Sequence, residues 1–269
     1  MIHFRFGLRP VADIPAWGGE KPSLHWFALT EGWYWIEIGD DELLRYSDRT
    51  LQKWVEEGGA EDAPPYVDYY VVRIWEDLLE MLPEIMEPVP EDLADFVAEE
   101  LLDWPSREDA PQIEAAGLWH VSHSMYTGPL QNAPHIRWWR TIIDGDDVVT
   151  VAWRHQPEPD IEFAGPLTGL TAVPTSSFVA AVTEFDLALL AAMDQRISML
   201  EATGPPPGVD LDLRHLRREH EERSTRLQRA WTRECSTDWG IVRAGARKLS
   251  AATADLEPGT ARPRQRPAK

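Results

Sequence analysis

The residues best suited to chemistry lie in two short runs. Trp33, Trp35 and Glu37 alternate with Tyr34, Ile36 and Ile38, so a strand here puts two indoles and a carboxylate on one face. Such a face can stack on a sugar or a base, or it can pack into a core. Arg73 and Asp77 stand four apart on an otherwise apolar helical stretch. Turned inward beside Glu37, they would make a Trp-lined polar pocket, the setting in which carboxylates acquire perturbed pKa values. That constellation suits a hydrolase or a small-ligand enzyme; the alternative use of Arg73 and Asp77 is a structural ion pair.

Other reactive types lack partners. His120 and His123 would share a face only on a helix, and Trp119, Val121 and Tyr126 around them read as a strand. No Cys pair or His-Glu-x-x-His motif adds ligands, so no metal is expected. Cys235 stands beside Glu234 as well as Arg233 and has no assigned His, the pattern of an inert thiol. Asp144, Asp146 and Asp147 miss the EF-hand spacing and read as a hairpin turn. Phosphate loop, dinucleotide fingerprint, nucleophile elbow and kinase signature are all missing, so no cofactor is expected and the balance leans away from an enzyme.

The elements that must position these residues follow from periodicity. Ile2–Leu8, Leu24–Leu29, Trp33–Ile38 and Leu43–Tyr46 read as a β-meander. Helices are expected over a short stretch carrying Leu51, Trp54 and Val55, over Tyr66–Leu82 with Pro83 ending or kinking it, and after Pro90. Strands return at Leu118–Tyr126, Ile136–Ile143 and Val148–Arg154, the last two joined through Asp144-Gly145. From Pro174 a long helix carries the seam Phe178, Val182, Phe185, Leu189, Met193, Ile197 and Leu200. Gly204–Gly208 breaks it, and a second long helix is expected from Asp210 to Cys235, antiparallel to the first. The class is α+β: an antiparallel sheet from the N-terminal meander and the middle hairpin, packed with helices, plus a C-terminal long-helix hairpin. The expected divisions are an acidic domain over 1–203, a linker over 204–209, a basic helical extension over 210–256 and a disordered tail over 257–269.

Charge narrows the function classes. The chain of 269 residues carries 46 acidic against 26 basic side chains, a net charge of −20. The deficit sits in residues 1–203, whereas residues 204–269 have more Lys and Arg than Asp and Glu. Such a body repels phosphate backbones and anionic lipid, and speeds encounter with basic partners. The expectation is therefore a non-catalytic binding protein for a basic protein partner, immunity- or regulator-like, with no nucleic acid and no membrane. Residues 176–235 offer a route to self-association. One cysteine excludes an internal disulfide framework, the first residues do not read as a secretory signal, and the best apolar run, Leu187–Met193, is short, all of which points to the cytoplasm.

Longer strings carry a resemblance. Leu24-His-Trp-Phe-Ala-Leu-Thr-Glu-Gly-Trp-Tyr-Trp-Ile-Glu-Ile-Gly39, Leu43-Leu-Arg-Tyr-Ser47, Tyr69-Tyr-Val-Val-Arg-Ile-Trp-Glu-Asp-Leu-Leu79 and Glu87-Pro-Val-Pro-Glu-Asp-Leu93 resemble an actinobacterial family of uncharacterised proteins, a domain of unknown function. The likeness covers most of residues 1–200. It implies a bacterial cytoplasmic protein with one continuous domain to about residue 200, and it brings no activity, cofactor or catalytic residue.

Overall fold

The computed structural model describes residues 1–99, 110–130, 133–155 and 161–254, with side chains to 250. In chain order the first half holds β1 (Ile2–Leu8), β2 (Glu31–Ile38), β3 (Asp41–Leu43), α1 (Asp48–Glu56), β4 (Val67–Tyr70), α2 (Val71–Met86), α3 (Ala94–Ala98) and α4 (Pro111–Ser122). The second holds β5 (His135–Ile143), β6 (Asp146–Arg154), β7 (Thr168–Pro174), α5 (Thr175–Thr203), α6 (Leu213–Arg223), α7 (Arg226–Thr232) and α8 (Trp239–Ala254). The fold is α+β with antiparallel sheets. Packing separates two units: Met1–Val89 with His123–Cys235, and Pro90–Ser122 with Ser236–Lys269.

In the first unit β2 is the hub. It pairs with β1 on one side and with β3 and β4 on the other. Its side chains alternate between half-buried and buried along the whole strand, as the sequence pattern requires. The second sheet has the order β5-β6-β7. Phe4 of β1, Trp138 of β5 and Phe178 of α5 bring their rings within 5.6–6.5 Å of one another, so both sheets and α5 share one core. Asp144 and Gly145, both at positive φ, close the β5–β6 hairpin in two residues, the geometry that Asp-Gly favours.

Several expected elements differ. Leu24–Leu29 is not a strand. Trp26, Ala28, Leu29 and Thr30 are all buried, which alternation cannot accommodate, and Ala28–Thr30 winds into a 3₁₀ turn. Thr30 Oγ1 accepts from Val72 N–H (3.3 Å) and donates to Phe27 O (2.7 Å), tying that turn to the start of α2. The helix expected from Tyr66 begins only at Val71, because Val67–Tyr70 supplies β2 with ladder partners. Pro83 lies inside α2, which continues to Met86. Leu118–Tyr126 is not a strand either: Pro111 opens α4, and Ile113, Ala116, Trp119 and His120 bury one helical stripe. β7 has no counterpart in the sequence reading; its Gly169 is dictated by Trp153, whose Cζ2 lies 1.9 Å from where a Cβ would stand.

The helix expected over Asp210–Cys235 is two. Asp212 caps α6 by accepting from His215 N–H (2.9 Å). At the break Ser224 and Thr225 turn their hydroxyls back onto the carbonyls of Glu221 (2.6 Å) and Glu222 (3.0 Å), competing with the helical pattern. α5 runs as expected and ends at Gly204, φ 81°. By length and composition α5 could cross a membrane, with a mean hydropathy of 1.5 over its most apolar window. Its seam, from Phe178 to Leu200, is buried within the first unit in the way of a core helix.

The second unit is built on α4 against α8. Gly245 permits the close approach, since a Cβ there would lie 1.9 Å from Gln112 O. Trp119 stacks on Phe96 (6.1 Å) and meets Trp239 edge-on (5.7 Å), and Arg243 grips both oxygens of Asp92 (2.7 and 3.0 Å).

Candidate binding groove

The five expected site residues do not meet. Trp33, Trp35 and Glu37 share the half-exposed face of β2. Trp35 is stacked on Tyr66 at 3.9 Å and 8°, and Arg9 lies over Trp33 at 4.9 Å, so each indole already has one face covered by its own chain. Glu37 accepts from Arg5 (3.0 Å) and from Trp35 Nε1–H (3.2 Å). Asp77 instead lies near Tyr34, a buried residue whose phenol it helps to hold far above the ordinary range after burial itself. Tyr34 and Glu37 differ by an odd number of residues on one strand, hence by opposite faces, and the pleat keeps the two carboxylates apart.

Arg73 and Asp77 do line a cavity, a groove of about 490 Å³ between α2 and α7. α2 contributes Arg73, Glu76, Asp77, Leu79 and Glu80; α7 contributes Arg226, Arg229 and Ala230, followed by Arg233; Tyr126 forms part of the wall. The cations recur at i, i+3 and i+7, one helical face, and the acids of α2 do likewise. This is an interhelical ladder. Glu76 bonds Arg226 at 2.8 Å and also takes Arg223 (2.8 Å) and, loosely, Arg73 (3.8 Å). At the far end Arg233 pairs with Glu84 (3.3 Å) and donates to Glu80 O. Between these rungs one is missing: the side chains of Asp77, Glu80 and Arg229 have no hydrogen bond or ion pair among the described residues. The expected i,i+4 pair of Arg73 with Asp77 is therefore replaced by an i,i+3 contact with Glu76.

Burial, with Glu80 and Glu76 adding to it against the pull of Arg73, pushes the Asp77 carboxyl up to about 7. The arginines and Tyr126 escaped the sequence reading, although Arg226, Arg229 and Arg233 repeat at helical spacing. Nothing in the sequence says that α2 faces them.

A second groove of about 500 Å³ shares Arg226 and Arg229 and is lined further by His25, His215, Arg218, Glu219, Glu222 and Arg223. Arg223, 7% exposed, packs its guanidinium 4.2 Å from the ring of Trp26 and binds Glu219 (2.9 Å) as well as Glu76, which anchors the end of α6.

The remaining candidates do not gather into a cluster among the described residues. His120 is buried on α4 with Nε2 2.8 Å from Glu99 O, and His123 is buried just beyond that helix. No group of three metal-ligating side chains occurs among the described residues. Burial, aided by Glu84, pushes the Cys235 thiol up to about 11, leaving it protonated at neutral pH. The double hydrogen bond from Arg140 (2.7 Å to each oxygen), with another from Thr175 (2.6 Å), holds Asp147 down at about 2.

Comparison with known proteins gives one finding. Residues 3–245 match the model of a family of unknown function (DUF5984), and the chain belongs to that family. No curated protein and no solved structure matches it.

Proposed function

We propose that this member of the family is a non-catalytic binding protein whose acidic body takes a basic protein partner, in the manner of an immunity or regulatory protein. An actinobacterial, cytoplasmic setting belongs to the same proposal. One observation carries it: five of the arginines described after residue 204 pair with acids of the same chain. Arg217 binds Asp194 and Glu201, Arg223 and Arg226 bind Glu76, Arg233 binds Glu84, and Arg243 binds Asp92. Exposed carboxylates such as Glu20, Asp40, Asp48, Glu61 and Asp62 have no ion-pair partner among the described residues. Their field is left to act on something outside, and it attracts cations while repelling polyanions. The scattering of the notional Trp-lined pocket over two faces of β2 removes the geometric support for a hydrolase using Glu37 with Asp77.

The test is affinity capture from native lysate with the full chain at low and moderate salt, followed by titration of an isolated candidate. A partner of basic pI, whose affinity falls steeply with ionic strength and falls again when Glu61 and Asp62 are changed to Gln and Asn, supports the reading. Recovery of no basic partner at either salt, or tight salt-sensitive retention of the chain on heparin, overturns it.

A further inference from the structure

From the missing rung between α2 and α7 we infer a small-molecule site for a zwitterion of the free α-amino acid class. The inference goes beyond partner binding and stands or falls independently of it. The groove matches its charges except in the middle, where Asp77 and Glu80 of one wall and Arg229 of the other line the same cavity without an ion pair among the described residues. A purely anionic ligand would satisfy Arg229 and leave the carboxyls worse off. A purely cationic one would do the reverse against Arg73 and Arg226. A ligand that brings an ammonium to Asp77 and Glu80 and a carboxylate to Arg229 satisfies both walls, with the fork of a guanidinium suited to a carboxylate.

The volume of about 490 Å³ is in the range of small-ligand pockets. Leu79, Ala230 and the ring of Tyr126 give an apolar surface for a side chain. The burial that raises Asp77 to about 7 is opposed once an ammonium arrives, so the bound state favours the carboxylate and binding at neutral pH releases a fraction of a proton. Glu80 and Arg229 lie at the rim, where substitution leaves the core untouched.

The experiment is calorimetric titration of the full chain at pH 7 in low salt with each of the twenty free amino acids. The blocked forms N-acetyl-leucine, without the ammonium, and leucinamide, without the carboxylate, serve as controls. Saturable binding is expected for an apolar member such as leucine or methionine. Each blocked form, and each of Arg229→Gln and Glu80→Gln, should weaken it by about tenfold or more, which is about 1.4 kcal/mol. Titration in two buffers of different ionisation enthalpy should show fractional proton release, lost in Asp77→Asn. Urea midpoints of the variants no lower than the parent's assign any loss to the site rather than to folding. No saturation by any amino acid at about 10 mM, ten times a Kd of about 1 mM, overturns the inference. So does an acetylated form that binds as tightly as the zwitterion.

Discussion

Replacing Asp77 with Asn asks whether burial in the groove makes an ionised carboxylate unfavourable there. In the unfolded chain this carboxyl titrates near the ordinary 3.8, and in the fold near 7. Between those values the folded state binds the extra proton, so stability is fully present below the unfolded value and is lost as pH rises through 7. A displacement of roughly three units, at 1.36 kcal/mol each, sets a ceiling of about 4 kcal/mol. About two of those units lie between pH 5 and pH 8.5, or about 3 kcal/mol. Asp77 sits at a groove open to water, and screening cuts the effect to about 1–2 kcal/mol. Asparagine keeps the shape and cannot ionise. The assay is urea unfolding of parent and variant at pH 5 and pH 8.5, compared as a difference of differences so that all other titrating groups cancel. The variant should gain about 1–2 kcal/mol on the parent between the two pH values. A gap that does not change with pH, or that changes in the parent's favour, refutes the account of Asp77 as a buried carboxyl without a partner.

Three further outcomes follow from single contacts. Arg196, whose guanidinium donates to Leu29 O (2.7 Å) and to Arg9 O, has its pKa drawn down to about 10 by burial; Arg196→Met strands two carbonyls and should cost about 2–4 kcal/mol in urea unfolding. Gly169→Ala drives a methyl into Trp153, which belongs to the shared core, and should cost about 1–3 kcal/mol with a blue- or red-shifted Trp emission in the native state. His155 is buried, stacked on Phe163 at 5.2 Å, and neither ring nitrogen has a hydrogen-bond partner among the described residues. Burial lowers its pKa, so the unfolded chain takes up its proton first as pH falls below the ordinary 6.5. His155→Phe should flatten the loss of stability below that pH, measured by thermal unfolding from pH 7.5 to pH 5.

The elements legible in the sequence are those whose burial obeys a single period. β2 alternates along its whole length, α5 buries Phe178 through Leu200 at helical spacing, and Asp144-Gly145 specifies its hairpin locally. Leu24–Leu29 misled because burial does alternate from Leu24 to Ala28, and only the unbroken run Ala28-Leu29-Thr30 marks the 3₁₀ turn. Leu118–Tyr126 failed because four aromatic and branched residues mimic a strand, while the deciding contact, Gly245 against Gln112, is made more than a hundred residues away. The site suffered the same way. Arg73 and Asp77 do line the groove, but Trp33, Trp35 and Glu37 were joined to it only by an assumed proximity. The residues that complete it, Arg226 and Arg229, come from α7, which follows directly on Arg223 at the end of α6 and its contacts with Trp26 and Glu76.

That anchoring explains why so acidic a chain carries a basic segment at all. A body with this surplus of carboxylates pays in self-repulsion on compaction, and α6 and α7 offset part of it by laying guanidiniums along α2 and α5. Exposed pairs of this kind contribute little singly, roughly 0–1 kcal/mol, and neutralisation alone would need no defined geometry. The geometry is nevertheless defined. Glu76 gathers three arginines, Arg223 is stacked on an indole, and Arg217 spans Asp194 and Glu201. Within the α2–α7 ladder, Arg229 is the exception: it lines the groove with Asp77 and Glu80 and pairs with neither. The gap lies beside a carboxyl that burial raises to about 7 against the pull of Arg73, which is why the missing rung, rather than the tryptophan face of β2, is the place to look for a ligand.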